Sequence, residues 1–128
     1  MKVLNGFALE GDRGVFRPVG HVSFDEAVAL VRAAIATARS NQVRDLLVDT
    51  TALNGFPSPD TFQRFLAAVG WADEASGQVR LAMVARPDMI DPERFGVTVA
   101  GNRGLVTNIF TTEEAARDWL ESKSGQGP

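Results

Sequence analysis

Hydrophobic and polar positions along this chain change period from segment to segment, which separates predicted strands from predicted helices. Residues 7–10 and 14–17 are short apolar-rich runs around Gly11, Asp12 and Arg13, a spacing that predicts an antiparallel hairpin. Ser23 and Glu26 then have the spacing of a capping box. Apolar residues follow every three or four positions as far as residue 38, so a long amphipathic helix should begin at this box.

The same patterns continue through the rest of the chain. The apolar run at residues 46–48 is typical of a central strand covered on both faces. Further strands are predicted at residues 79–85 and 106–110. Further helices are predicted from about residue 60 to residue 77, from residue 91 to residue 104, and after residue 111.

Strands that alternate with helices imply crossover connections and a mainly parallel sheet. We therefore expect one α/β domain over residues 1–121, with about five strands in a mixed sheet and about four helices. The opening hairpin should add one antiparallel strand, at an edge of the sheet. Residues 122–128 are expected to form a flexible tail.

The segment after the central strand carries the candidate site residues. Its glycine and two prolines predict a long irregular loop, and such loops often carry function. Asp49, Thr50 and Thr51 are the best-placed polar cluster for a ligand or partner, although Asp49 can equally organise the loop by accepting turn N–H groups. Phe56 belongs to no periodic stripe, so it either covers the core or forms a partner surface.

Other residues favour structural roles. The aromatic residues at helical spacing are predicted to pack in the core: Phe62, Phe65, Trp71 and Trp119. Gly96 and Gly101 do not fit a phosphate-binding loop, because Asn102 and Arg103 stand where lysine and a hydroxyl residue are needed. We expect these two glycines to allow close packing of their helix.

Composition narrows the classes of function. The 128 residues contain no cysteine and one histidine, His21, so no metal site or thiol chemistry is expected. His21 with Asp49 and Ser58 lacks the setting of a nucleophile elbow, which argues against an enzyme. The formal charge of −3 has no basic stripe for nucleic acid, and no apolar stretch is long enough to cross a membrane. We expect a cytoplasmic protein without a cofactor.

A family resemblance covers nearly the whole chain. The C-terminal part contains Phe95-Gly96, Ala100-Gly101-Asn102-Arg103-Gly104 and Ala116-Arg117-Asp118-Trp119-Leu120. This pattern resembles bacterial STAS/SEC14-like proteins, also called SpoIIAA-like, and the segments around residues 18–27 and 46–56 agree with it. Most members of this branch have no assigned activity.

The resemblance implies a STAS-type fold, shared by antagonists of anti-sigma factors and by domains of anion transporters. In those antagonists a serine at the start of the helix after the central strand is phosphorylated, within an aspartate-serine-serine-glycine motif. Here residues 56–61 read Phe-Pro-Ser-Pro-Asp-Thr, so the order of the motif is not preserved, and Ser58 is the candidate phosphorylation site.

Two hypotheses of function follow. The first is a non-enzymatic regulatory module that binds another protein through Asp49, Thr50, Thr51, Phe56 and Ser58. The second is binding of a lipid or another hydrophobic small molecule in a pocket of the SEC14 type. Sheet edges that no other strand covers would also favour a homodimer.

Overall fold

The computed structural model describes residues 4–124, except for the side chains of residues 123 and 124. Seven strands lie in chain order: β1 (Phe7–Glu10), β2 (Arg13–Phe16), β3 (Gly20–His21), β4 (Asp45–Asp49), β5 (Leu53–Asn54), β6 (Arg80–Val84) and β7 (Thr107–Phe110). Four α-helices lie between and after them: α1 (Phe24–Ser40), α2 (Thr61–Ala75), α3 (Phe95–Asn102) and α4 (Glu113–Ser124). A 3₁₀ turn spans Pro87–Met89.

The main sheet has the order β1-β2-β4-β6-β7, and β1 pairs with β2 in an antiparallel manner while the other pairs are parallel. This confirms the predicted mixed α/β fold and its antiparallel edge strand. Because the strand order advances in one direction, right-handed crossovers place α1, α2 and α3 on one face. Helix α4 packs on the other face, against β4, β6 and β7.

Alternation along the strands divides the core into two layers. On one face, Phe16, Leu46, Val48 and Leu81 pack with buried residues of α1, α2 and α3. On the other face, a smaller cluster packs against α4, and its strand residues are Val15, Leu47, Ala82 and Val84. The sheet therefore separates two environments, and side chains at successive positions of a strand enter different ones.

Capping boxes begin two of the helices, and the first of them was predicted from the sequence. Ser23 and Glu26 form the capping box of α1, with Glu26 N donating to Ser23 Oγ over 3.1 Å. Asp60 and Gln63 form an equivalent box at α2. Among the described helices, each is too short or too polar to cross a membrane.

Four expectations from the sequence are wrong. The irregular loop contains β5, which pairs in parallel with β3, because Gly20 N and Val22 N donate to the carbonyl groups of Ala52 and Asn54. Helix α3 begins at Phe95 rather than at residue 91, because Asp91 caps from outside the helix, with Phe95 N donating to its Oδ2 over 2.8 Å.

The third error concerns Gly96 and Gly101. A Cβ built at either position meets no atom within 4 Å apart from its chain neighbours and the backbone of its own helix, so close packing does not explain these glycines. The fourth concerns Phe62, whose predicted core position is contradicted by its 66% exposure.

Helix α4 extends to Ser124, so residues 122–124 of the predicted tail are helical. The rest of the tail predicted for residues 122–128 lies outside the described residues. Gly104 has a φ of +89°, which confirms the left-handed residue predicted after α3.

Candidate functional site

A partly open apolar cavity of about 150 Å³ lies between the sheet and helices α1, α2 and α3. Its floor includes Met83 and Ile109 from β6 and β7. Phe24, Val28 and Trp71 line it from the helices. The loop after β4 contributes Leu53 and Phe56, so the cavity reaches the carboxyl edge of the sheet, where open α/β sheets bind their ligands.

Small side chains account for the empty space. Five alanines and a glycine line the cavity: Ala27, Ala67, Ala68, Ala85, Ala100 and Gly96. Larger apolar side chains at these positions would fill the volume, since protein cores are otherwise packed as densely as organic crystals. The alanines of α1, α2 and α3 satisfy the apolar periodicity of their helices, so the sequence pattern shows that these positions are buried but does not show that space remains beside them.

Phe56 covers part of this cavity. Its ring packs edge-to-face on Phe24, with 5.8 Å between ring centroids and an interplanar angle of 67°. It is half-buried, and it lines the cavity. This position agrees with the first of the two sequence interpretations, in which Phe56 covers the core.

The backbone beneath Phe56 is tightly constrained. Gly55 has a φ of +106°, and a Cβ there would lie 2.5 Å from the carbonyl oxygen of Val22. Only glycine fits such a position without moving the backbone. The pairing of β3 with β5 therefore sets where the loop crosses the mouth of the cavity.

The polar residues predicted as a site lie in different places. Asp49 is on the α4 face of the sheet, where its Oδ1 accepts hydrogen bonds from Thr51 N over 2.9 Å and Thr51 Oγ1 over 2.6 Å. Thr50 lines the cavity on the opposite face, and its Oγ1 donates to Val84 O over 2.9 Å. The sheet thus separates Asp49 and Thr51 from Thr50 and Phe56.

Ser58 and His21 also have separate partners. Arg64 Nη2 donates to Ser58 Oγ over 3.1 Å, at the start of α2. His21 Nδ1 lies 2.9 Å from Asn54 Oδ1, in the small β3-β5 sheet. Asp49, His21 and Ser58 are therefore each hydrogen-bonded to a different side chain, and none of these bonds joins two of them.

Asp49 lies beside an ion-pair cluster on the α4 face, and this cluster is made of Glu10, Arg17, Glu113 and Arg117. Arg17 donates through Nε and Nη2 to both carboxylate oxygens of Glu113, each over 2.8 Å. These bonds from Arg17, followed by a hydrogen bond with Asp49, lower the pKa of Glu113 to about 2. Burial, followed by the hydrogen bond with Glu113, raises the pKa of Asp49 above its ordinary value.

The cavity mouth carries charges that the sequence did not single out. Arg64, Arg86, Arg94 and Asp91 all contribute to the wall of the cavity. Arg64 lies in the first turns of α2, Asp91 lies four residues before α3, and Arg86 lies two residues after the end of β6. No motif connects these residues in sequence, so only the fold brings them together.

The fold and the cavity together define a class, a small α/β protein with an apolar cavity on one face of its sheet. No protein-family model matches the chain, and no curated protein matches it. The resemblance to STAS/SEC14-like proteins therefore stays a prediction.

Proposed function

We propose that this protein binds a small hydrophobic molecule in the cavity beneath Phe56. The observation that carries this proposal is an open cavity of about 150 Å³ whose walls are formed mainly by apolar side chains. Ligand sites are typically concave and apolar, with a few polar groups that orient the ligand. The predicted resemblance to a fold compared with lipid-binding proteins supports the same choice.

The volume limits the ligand. Dry cavities of roughly 150 Å³ in other proteins accept benzene, so the apolar part that fits here is about the size of one aromatic ring or a short alkyl chain. A complete diacyl lipid is much larger than this space. The proposed ligand is therefore a small hydrophobic molecule, and a lipid would need the helices around the cavity to separate.

Titration with toluene tests the proposal, and two glycines of α3 supply a matched pair of variants. Gly96 lines the cavity and Gly101 does not, yet a Cβ at either has free space within 4 Å. We expect Gly96→Leu to fill the cavity and to reduce toluene affinity about tenfold or more, because the volume available to the ring is lost. Gly101→Leu should keep wild-type affinity. Calorimetry gives the affinities, and thermal unfolding confirms that both variants fold.

Native mass spectrometry provides a second readout, since a bound natural ligand would add an apolar mass of this size to the purified protein. A wild-type protein that neither carries such a mass nor binds toluene contradicts the proposal. Equal loss of toluene binding in Gly96→Leu and Gly101→Leu also contradicts the proposal, since the loss would then not result from filling the cavity.

The second candidate function is a regulatory module that binds another protein, as the STAS-like resemblance implies. The observation that favours it is an exposed apolar pair on α2, where Phe62 is 66% exposed and Leu66, one turn later, is 53% exposed. Apolar surface of this kind marks protein interaction sites more often than ordinary surface. This pair adjoins the loop that contains the predicted partner-binding residues Phe56 and Ser58.

Partner capture separates the two functions. The double variant Phe62→Ser with Leu66→Ser should lose a cross-linked partner while it keeps toluene binding, because neither residue lines the cavity. Phe56→Ala and Ser58→Ala test the loop in the same assay. Capture that all of these variants retain would exclude this surface.

A further inference from the structure

Three arginines and one aspartate stand beside an otherwise apolar cavity. Arg64, Arg86, Arg94 and Asp91 contribute to its wall, so the net charge of these residues is positive. An arginine at the rim of an apolar cavity suits a ligand with a carboxylate, because guanidinium groups pair with planar oxyanions in a bidentate manner. Such pairing requires an arginine whose guanidinium is not already hydrogen-bonded within the protein.

Arg64 is committed to the fold. Its Nη1 donates to Pro59 O over 2.8 Å, and its Nη2 donates to Ser58 Oγ and Met89 O over 3.1 Å each. These bonds tie the start of α2 to the turn at Pro87–Met89. A ligand that took over this guanidinium would have to replace three existing hydrogen bonds.

Arg94 is partly committed. Its Nη1 donates to Asn108 Oδ1 and to Ile109 O, which joins the start of α3 to β7. Its backbone is in the left-handed region, with a φ of +53°. Asp91 is also occupied, since its Oδ2 accepts from Phe95 N.

Of the three arginine side chains at the cavity, that of Arg86 makes the fewest hydrogen bonds. Its Nε lies 3.8 Å from Asp88 Oδ1, which is too long for a hydrogen bond, and the Asp88 side chain is 69% exposed. Among the described residues, the Arg86 guanidinium donates no hydrogen bond. Its side chain is 38% exposed, so it is partly withdrawn from water at the edge of the cavity.

We propose that the ligand of this cavity is a small organic acid, with an apolar body about the size of one ring and a carboxylate that pairs with Arg86. This rests on the proposed function, because it names the chemical class of the molecule bound there. The apolar body occupies the space lined by the alanines. The carboxylate accepts the hydrogen bonds that Arg86 does not make within the protein and displaces the weak contact with Asp88.

The test compares phenylacetate with phenylacetamide, which has the same shape and no charge. Wild-type protein should bind phenylacetate about tenfold more tightly, the difference expected from one charge-assisted hydrogen-bonded pair. Arg86→Gln should reduce phenylacetate affinity to that of phenylacetamide and leave phenylacetamide affinity unchanged. Asp88→Asn should tighten phenylacetate binding, because the competing carboxylate is removed.

Arg44→Gln is the matched control. It removes the same charge from an exposed side chain at the amino end of β4, and Arg44 does not line the cavity. We expect it to leave both affinities within about twofold of wild type, since exposed charges at this distance are largely screened at 0.15 M salt.

The outcomes distinguish this inference from the proposed function. If both compounds bind equally, or if Arg86→Gln leaves the preference for phenylacetate intact, the carboxylate pairing is wrong while the cavity remains a hydrophobic binding site. If Arg44→Gln weakens phenylacetate as much as Arg86→Gln does, the preference comes from general charge, and the pairing is again wrong. If wild type binds neither compound nor toluene, both proposals fail.

Discussion

Gly55 determines the path of the loop that covers the cavity. Its φ of +106° is unfavourable for any residue with a Cβ, and a Cβ there would come within 2.5 Å of Val22 O and 3.0 Å of Val22 N. Gly77 offers a comparison, because its φ is +71° but a Cβ there meets nothing within 4 Å. The two positions share the backbone strain, and only Gly55 adds the steric conflict.

We therefore expect Gly77→Ala to lower the free energy of unfolding by about 1 kcal/mol, from the left-handed backbone alone. Gly55→Ala should lower it by about 1–3 kcal/mol more, because the β3-β5 pairing must also shift. Urea denaturation followed by circular dichroism measures both changes. Equal losses in the two variants would show that the contact with Val22 costs little.

The individual site residues show what sequence reasoning could reach. Phe56 was recognisable because it lies outside every apolar stripe, and one of its two interpretations matches its position over the cavity. The separation of Asp49 from Thr50 was harder to foresee, since it depends on which strand face each side chain enters after β4 ends. Arg86 gave no signal, because its place in the cavity wall depends on residues distant in the sequence.

At the scale of single helices, α3 contains two glycines that no close contact requires. Glycine in a helix lowers stability relative to alanine by about 0.5–1 kcal/mol, because the unfolded chain loses more freedom on folding. Gly101 lies within α3 and does not line the apolar cavity. Gly101→Ala should therefore raise the free energy of unfolding by this amount.

Gly104 is the control for this prediction, since it lies just beyond the same helix with a φ of +89°. Gly104→Ala should lower stability by about 1 kcal/mol for the reason given for Gly77. Chemical denaturation of both variants measures these changes in the free energy of unfolding. A destabilised Gly101→Ala variant would mean that α3 needs close contacts after all, as the sequence first suggested.

The helix α2 shows why apolar periodicity alone misplaces residues. Its stripe of Phe62, Phe65, Leu66 and Val69 is wider than the surface available for burial, and the residues that are fully buried are alanines: Ala67, Ala68, Ala72 and Ala75. The buried face of the helix therefore consists of small side chains, and Phe62 and Leu66 face solvent. Large apolar residues therefore do not identify the buried face of a helix when another face, lined by small residues, can be buried instead.

For the whole molecule, the sequence predicted the order and kind of the main elements because capping boxes, turn glycines and apolar periods act locally. The small β3-β5 sheet was missed because its two-residue strands exist only through contacts between distant segments. A pocket was expected only from the family resemblance, and its lining could not be predicted from local patterns, since it depends on how five alanines from different elements combine. Local patterns therefore define the framework here, and the site arises from its assembly.

The charged groups on the α4 face of the sheet also make the stability of the protein depend on pH. The lowered pKa of Glu113 means that its ion pairs stabilise the fold above pH 4.5, its ordinary value, and that this contribution is lost as the pH falls toward about 2. The raised pKa of Asp49 has the opposite sign: its charged form is disfavoured in the fold, and this cost is relieved as the pH falls through its raised value.

Asp49→Asn should therefore stabilise the protein at pH 7, by up to about 1 kcal/mol, because the amide donates to Glu113 without a buried charge and its oxygen still accepts from Thr51. The gain should shrink on acidification, since wild-type Asp49 then becomes neutral as well.

Glu113→Gln should instead be destabilising at pH 7 and nearly neutral at pH 2. Neither change should alter toluene binding, because both residues lie on the α4 face. Urea denaturation from pH 2 to pH 7 measures these differences, and an Asp49→Asn effect that is destabilising at pH 7 and fades on acidification would show that the Asp49 charge supports the fold.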